Sequence, residues 1–567
     1  MVSVGNYWQR SMHARISRRR LLGSSAVAGS AAIGAMLVGC AGGSKAINAT
    51  PAAGQTTSGD QPDVLNRGGA PKRGGRYRYS VAADFGSWDP HIGVAVASAY
   101  FPRMYNVLVN QSAAKPGFFF FDLAESYENP DDQTFVFKIR PGVKVTPNDL
   151  GVPERDLDGD DVRVTMERIA ATNEANNYTF AHDYIASTNV SGSSVTIKTT
   201  RPYAWFINRI GLFFNTIAPR ELLAGDTSRL AAAGAGGGPY RLTQLKVGQS
   251  ASFDRNPNYY RRDPATGQQL PYVDGLDVPI IVDRSAAHTA LLSGQVDGYL
   301  PADGAEARSL ASRFTIGRDP NFSYISFSMN PRRKPFDDPR VRRAFSRAIN
   351  RDDYVRVVYE GDARPDGLVH WSLGAYALDP GELASKYQPF DIEEAKRLVA
   401  QVGGIKVKMM YPASTDLEGH SAHLLIFLRQ MQSAGIEIEQ DPQPFGTWLD
   451  NYHKINYDCS LALNQFYETP ETPLGFHTLA GPLGDGSYVR GLGDPEIEAA
   501  VKKANETLDN QTRITAVHDA QKLIYSKDPI TFPLVTPYDY SAFARTVHDY
   551  PSGIGTSAFL INTFWLG

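Results

Sequence analysis

Residues 334–365 read KPFDDPRVRRAFSRAINRDDYVRVVYEGDARP. Asp338 is an acidic cap, and Pro339 takes the first helical position, where its missing N–H costs nothing. Val341, Phe345, Ala348 and Ile349 then recur at helical spacing, so one face of this segment is apolar and the other carries arginines. A proline-rich loop leads into this helix. A second charged stretch follows it.

Working outward, DIEEAKRLVAQVGG at 391–404 starts with Asp391 and Glu394 in a capping-box spacing and stops at Gly403 and Gly404. Asp494 and Pro495 open a further helix through Ile497, Val501 and Leu508. Another covers Arg513 to Ser526. Strands are equally legible: QTFVFKIR at 133–140 alternates Phe135, Phe137 and Ile139 with polar residues before the turn Pro141-Gly142. Segments 194–199, 252–254 and 405–410 read the same way. Helix and strand alternate from 391 to 465, which predicts a layered α/β lobe. No repeat of solenoid length is visible.

The N-terminus carries a different signal. Arg10, Arg15, Arg18, Arg19 and Arg20 precede an uncharged stretch from Leu21 to Gly39, the order of an export signal. The run SRRRLL at 17–22 holds the arginine pair of a twin-arginine signal. Leu37-Val38-Gly39-Cys40 resembles a lipobox, which makes Cys40 the expected lipid attachment site. The competing reading keeps residues 21–39 as a transmembrane helix, which their number just allows. Residues 41–70 are small, polar and rich in Gly, Pro, Ser and Thr, hence a flexible tether.

Beyond Gly39 about 500 residues remain, too many for one core, so two or three domains are expected. The chain has 57 basic and 60 acidic residues. Removing the five arginines of the signal leaves 52 against 60, a net charge of −8. A nucleic-acid partner is thereby disfavoured. No second apolar segment of membrane length follows Gly39. Of the two cysteines, Cys459 lies in the apolar run YDCSLAL and reads as a buried strand residue, so no internal disulfide is expected.

Several further pieces, in order, resemble the family 5 extracytoplasmic solute-binding proteins, which include dipeptide-, oligopeptide- and nickel-binding components of ABC importers. They are RGGRYRYSVAADFGSWDPHIG at 73–93, DLAESYENPDDQTFVFKIRPGVKV at 122–145, DLDGDDVRVTMERI at 156–169, GGGPYRL at 236–242, DRNPNYYRRD at 254–263, LLSGQVDGY at 291–299, and the stretch 334–365 itself. The likeness spans about Gly74 to Phe543. Each piece alone is a common turn or cap, whereas the set in sequence is specific.

The resemblance implies an α/β, two-lobed type II clamp that closes on a ligand and passes it to ABC permease subunits. Lobe I would take 71–110, 195–325 and 536–567, with an inserted subdomain at 111–194; lobe II would take 326–535. The expected protein is a monomer at the outer face of the cytoplasmic membrane or in the periplasm, lipid-anchored, with no cofactor and no catalytic activity. By the same likeness the ligand contacts fall in YDCSLALNQFYETPETPLGFH at 457–477.

Peptide-binding members carry an aspartate there that pairs with the peptide's amino terminus. Asn464 and Gln465 stand around that place, and Asp458 and Glu468 do not match the pattern. Without a carboxylate, a buried ammonium forfeits a charge-assisted contact of about 1.5–3 kcal/mol. A neutral polar or sugar-like ligand is therefore as compatible as a peptide. Asn464, Gln465, Phe466 and Tyr467 are the leading pocket residues, followed by Trp88, Tyr100, Trp448, Tyr488 and Arg490. Buried aromatics are more often core than ligand platform.

Catalytic signatures are missing from the sequence: there is no G-x-S-x-G, P-loop or H-E-x-x-H. His420 and His423 are three apart without a visible third ligand. The acidic stretch 156–161 lacks the glycine and glutamate positions of a calcium loop and reads as a solvated turn and helix cap. GAGGGP at 234–239 leads into a strand, unlike a dinucleotide fingerprint. A surface-anchored polymer hydrolase and a ligand-sensing receptor without a permease are the alternative readings.

Overall fold

The computed structural model describes residues 69–567 apart from 83, 94–99, 112–118, 147, 225–226, 233–234, 321–322, 414–417, 466–468, 482–490, 528 and 551–562. Three principal sheets organise the described chain. In the first, Arg76–Arg78 runs parallel to Gly275–Pro279, which pairs antiparallel with Ser250–Arg255, itself paired with Tyr240–Lys246. The second is an antiparallel sheet with the spatial order Ala124–Glu128, Thr134–Ile139, Ser194–Thr199 and Ile185–Ser191. Its alternating residues Phe135, Phe137 and Ile139 are all buried, and Gly142 turns the chain at φ 78°. Phe135 stacks on Phe206 at 3.8 Å, joining this sheet to the short helix Phe206–Ile210.

The third sheet has eight strands and one long spine, Thr531–Phe543. The first part of that strand pairs with Ser323–Met329, from Ser328 opposite Thr531 to Ile325 opposite Val535. Its second part pairs with Thr315–Pro320, from Pro320 opposite Tyr538 to Thr315 opposite Phe543. Between these two pairings, Thr536 and Pro537 face the two-residue strand Ala363–Arg364. With Gly298–Tyr299 also paired at its end, this one strand serves four neighbours along its length. Beyond Ser323–Met329 the sheet continues through Cys459–Gln465 and Ile405–Pro412 to Ile436–Gln443.

The helices form where the sequence places their caps. Asp338 accepts the Arg340 N–H at 2.8 Å and opens Pro339–Ala348. Asp391 accepts Glu394 N–H at 2.9 Å, but its own N–H goes to the Arg347 carbonyl, so the capping box is half made. Phe345 of the first helix stacks on Phe327 of the sheet at 5.1 Å, with Phe427 and Phe532 at 4.7 and 5.7 Å from the same ring. Cys459 is fully buried in this core.

One local expectation is revised. The acidic stretch 156–161 does cap the helix Gly159–Ala171 through Asp158, but Asp161 is buried rather than solvated. Both its oxygens accept from Arg155 at 2.7 Å, and Arg155 also holds Glu221. A carboxylate can leave water here because a guanidinium fork replaces the lost hydration.

Candidate functional site

Ile405–Pro412 lies parallel to Ile436–Gln443 and to Cys459–Gln465, so the carboxyl ends of three strands share one edge. In open α/β sheets this edge is where ligands bind, because the strands stop and their connecting loops diverge. The antiparallel strand Ser323–Met329 begins at the same edge. Its Ser323 stands opposite Gln465 and its Tyr324 opposite Asn464. The chain reaches Ser323 from Pro320, the last residue of Thr315–Pro320. The backbone of Asn464 and Gln465 therefore sits beside the place where the chain passes from one group of strands to the next.

The segment that follows the second sheet meets the chain beyond Gln465 at Glu471. The Tyr203 hydroxyl donates to Glu471 Oε2 at 2.7 Å, and Arg209 Nε and Nη2 donate to the same oxygen at 3.1 and 3.0 Å. All three side chains are buried. Burial drives the Tyr203 hydroxyl pKa well up, and the Glu471 charge adds to that. For Arg209 burial is the largest influence and acts downward, but the Glu471 charge, Tyr203 and the hydrogen bonds to both together overcome it, and the guanidinium pKa is raised. Glu471 opens the short helix Glu471–Gly475, so this cluster fixes the far end of the loop that leaves Gln465. Beside it, Ala204 N–H donates to the Asn505 carbonyl at 2.7 Å and Trp205 Nε1 to the Asn505 side chain at 2.9 Å. Arg513 lies 5.0 Å over the Trp205 ring, whose edge meets Tyr376.

Behind the crossing point, Asp366 is buried against the spine strand. It accepts from Thr536 Oγ1 and Gly367 N–H at 2.8 Å and from Trp371 N–H at 3.1 Å, with His370 Nε2 at 3.2 Å. Burial pushes its carboxyl pKa up to about 7, although the hydrogen bonds act the other way.

Among the residues read from sequence as pocket candidates, Asn464 and Gln465 end the central strand. Phe466, Tyr467, Tyr488 and Arg490, like the lipid-site residue Cys40, lie outside the described residues. Trp88 is buried between Phe85 at 5.3 Å and Phe253 at 6.0 Å, and its Nε1 has no hydrogen-bond partner among the described residues. Tyr100 stacks flat on Phe253 at 5.3 Å with Arg103 over its ring. Trp448 packs behind the candidate strand: its Nε1 donates to Ser460 Oγ at 3.1 Å and its ring stacks on Tyr452.

Sequence reading missed Arg209, Tyr203 and Asn505, which carry no motif. Glu471 fell inside the chosen 457–477 stretch, but its partner is 262 residues away. His423 is buried between Tyr354 and Tyr359 rather than open to an ion. Among the described residues no group of three His, Cys, Asp or Glu side chains is placed to hold a metal, and no helix is long and apolar enough to cross a membrane.

Mixed sheets joined by crossing strands, with a loop-lined edge facing a second group of elements, define a two-lobed α/β binding clamp. The model of the bacterial extracellular solute-binding proteins, family 5 (middle region), matches residues 121–487, and the chain belongs to that family. It is 24% identical over 460 residues to di/tripeptide-binding protein 2 of Pseudomonas aeruginosa, covering 76% of this chain and 83% of that relative. To heme-binding protein A of Haemophilus influenzae it is 26% identical over 473 residues, 77% and 82% of the two chains. Its fold matches the ABC transporter-associated periplasmic binding protein DppA of Helicobacter pylori, solved with the peptide STSA, at a TM-score of 0.70 and 20% identity, covering 87% and 98% of the two chains. The protein is thus an extracytoplasmic binding component of an ABC importer, which captures a peptide or small solute and delivers it to a permease.

Proposed function

We propose that this protein is a monomeric, non-catalytic receptor for a peptide or other small polar solute, tethered to the membrane through a lipid on Cys40. The reading is carried by one observation: the strand ending in Asn464 and Gln465 stops at the parallel-strand edge, beside the crossing from Pro320 to Ser323. Ligand held there touches both sides of the crossing and so favours the closed form. Lobe I comprises 71–110, 195–325 and 536–567 with 111–194 inserted, and lobe II comprises 326–535. The change of partner along Thr531–Phe543 near Thr536 supports that division. Asn464, Gln465, Phe466 and Tyr467 form the ligand floor, with the Trp88 N–H as a further donor.

The relatives named for di- and tripeptides support a short peptide. The uncharged Asn464 and Gln465 favour ligands that bring no ammonium to that point. A thermal-shift screen over di- and tripeptides, oligosaccharides and metal chelates tests the reading. A true ligand at a hundred times its Kd adds about 2.7 kcal/mol of stability. If no compound raises the Tm and one of them is instead turned over, the receptor reading fails. Export through the twin-arginine signal at 17–22 and retention by Cys40 account for the N-terminal segment.

A further inference from the structure

We propose that Arg351, with the Tyr354 hydroxyl beside it, holds a small monovalent anion of chloride size in the core beneath the spine strand Thr531–Phe543. The site uses none of the residues read as ligand contacts and does not depend on the receptor reading.

Asn350 accepts the Asp352 N–H at 3.1 Å and so caps the short helix Arg351–Val357, on which Arg351 and Tyr354, three residues apart, share one face. That face points inward: Arg351 is 6% exposed and Tyr354 is fully buried. Arg351 Nε donates to the Pro533 carbonyl of the spine strand at 3.0 Å, and its guanidinium carbon stands 5.7 Å from the centre of the Phe532 ring. Neither Nη1 nor Nη2 has a hydrogen-bond partner among the described residues, and the Tyr354 hydroxyl has none either.

A guanidinium taken out of water needs a negative charge or a full set of acceptors, because a bare buried charge is costly. The described chain supplies neither. Burial lowers the Arg351 pKa to about 10, which leaves the group charged at neutral pH. The groups that act on it are Tyr525 and Tyr354, two phenols that burial keeps from ionising, and a second cation, Arg347. The Tyr525 oxygen already accepts from Leu368 N–H at 3.0 Å and Gln388 Nε2 at 2.7 Å. On the same helix, Asp352 is exposed and Asp353 is bound to Arg356 and Gln430, at 2.5 and 3.3 Å. Asp366 is held by Thr536 and two backbone N–H groups.

The two Nη groups form a fork that grips an anion from one side, and a hydroxyl adds a third donor. One guanidinium neutralises one charge, and a site closed to water admits only a small ion. Bound there, the anion leaves Nε on Pro533 and fastens the helix to the spine strand just before that strand changes partners near Thr536.

Two measurements on the full-length chain, in a Cys40→Ser background, test this. Crystals soaked in bromide should show an anomalous peak within hydrogen-bonding reach of Arg351 Nη1 and Nη2. In solution, chloride replaces gluconate at constant ionic strength, so that screening does not change. Above its Kd, each tenfold rise in chloride should raise the wild-type folding constant by up to tenfold. Arg351→Met should lose this dependence, once the general salt effect seen in both chains is subtracted. Tyr354→Phe keeps the cation and should need roughly two- to ten-fold more chloride for the same gain, which carries the comparison if the methionine variant does not fold. The site is overturned if no bromide peak appears at Arg351. It is equally overturned if a peak appears but wild-type stability ignores chloride, which is binding at crystal concentration only, or if wild type and the variants respond to chloride alike.

Discussion

Thr536 donates its hydroxyl to the Asp366 carboxylate at 2.8 Å, at the point where the spine strand leaves one partner and takes the next. Two backbone N–H groups occupy the other carboxylate oxygen. The loop after Arg364 is therefore tied to the crossing strand by one buried acid. The groups facing it include Arg364, which lies over Trp371, and His370, which burial keeps neutral by holding its pKa well below the ordinary histidine value.

Asp366→Asn follows directly. The folded carboxyl holds its proton up to about pH 7, whereas the unfolded one releases it near 3.8. Its contribution is fully present below the unfolded value and is lost as pH rises through the folded one. Asparagine keeps an acceptor for the two N–H groups and gives Thr536 a donor, without the ionisation. Denaturation at several pH values should show the variant gaining on wild type from pH 4 to 7, by at most about 4 kcal/mol, then running level. A difference between the two that does not change with pH would refute the assignment.

Arg168 grips Asp89 with two hydrogen bonds, at 3.1 and 2.5 Å, and also meets His91 Nδ1. The His91 Nε2 donates to the Thr216 carbonyl at 2.9 Å. Burial first, and the Arg168 cation second, lower the His91 pKa. Arg168→Met strands a buried carboxylate, and a loss of about 3–5 kcal/mol is expected by chemical denaturation. The same group gives wild type a contribution present above the unfolded histidine pKa and lost as pH falls below it. In Arg168→Met that acid-side loss should shrink; an unchanged acid slope would show that Arg168 does not act on His91.

Local structure was legible in the sequence because its causes are local. Asp338-Pro339 and Asp391 cap helices through their own side chains, and Phe135, Phe137 and Ile139 bury one face of a strand by simple alternation. The same holds for the parallel lobe, where helix and strand alternate from 391 to 465. The spine strand was not legible: Pro533 and Pro537 interrupt it and its partners come from 315–329 and 363–364, so pairing rather than propensity sets its course. Nor could Arg209 and Glu471 be paired, since 262 residues separate them and only the packing of distant segments brings them together. The stretch 457–477 was reached through family likeness alone; in the structure its strand Cys459–Gln465 ends at the carboxyl edge of the parallel strands.

Cys40→Ser tests the anchor without touching the fold. Two acyl chains are needed for durable attachment, as one alone holds only weakly. Cell fractionation should find the native chain with membranes and the variant in the soluble or secreted fraction. Metabolic labelling with palmitate should follow the cysteine. Membrane retention of the unlabelled variant would favour residues 21–39 staying as a span.

Asn464→Ala with Gln465→Ala, set against Trp448→Ala, separates ligand contact from core. The ladder bonds of Asn464 and Gln465 to Tyr324 and Ser323 belong to the backbone, so alanine leaves the strand paired. What is lost is two polar side chains, each worth about 0.5–1.5 kcal/mol to a bound polar group. Titration calorimetry with the best compound from the screen should show affinity roughly five- to a hundred-fold weaker, with the unliganded Tm unchanged. Trp448 instead fills space behind Ser460, stacked 5.1 Å from Tyr452, and its removal opens a cavity. That variant should lose about 3–5 kcal/mol of stability while the affinity of its folded fraction changes little. Unaltered affinity in the double alanine variant would remove Asn464 and Gln465 from the pocket and move the ligand floor to the residues that follow Gln465.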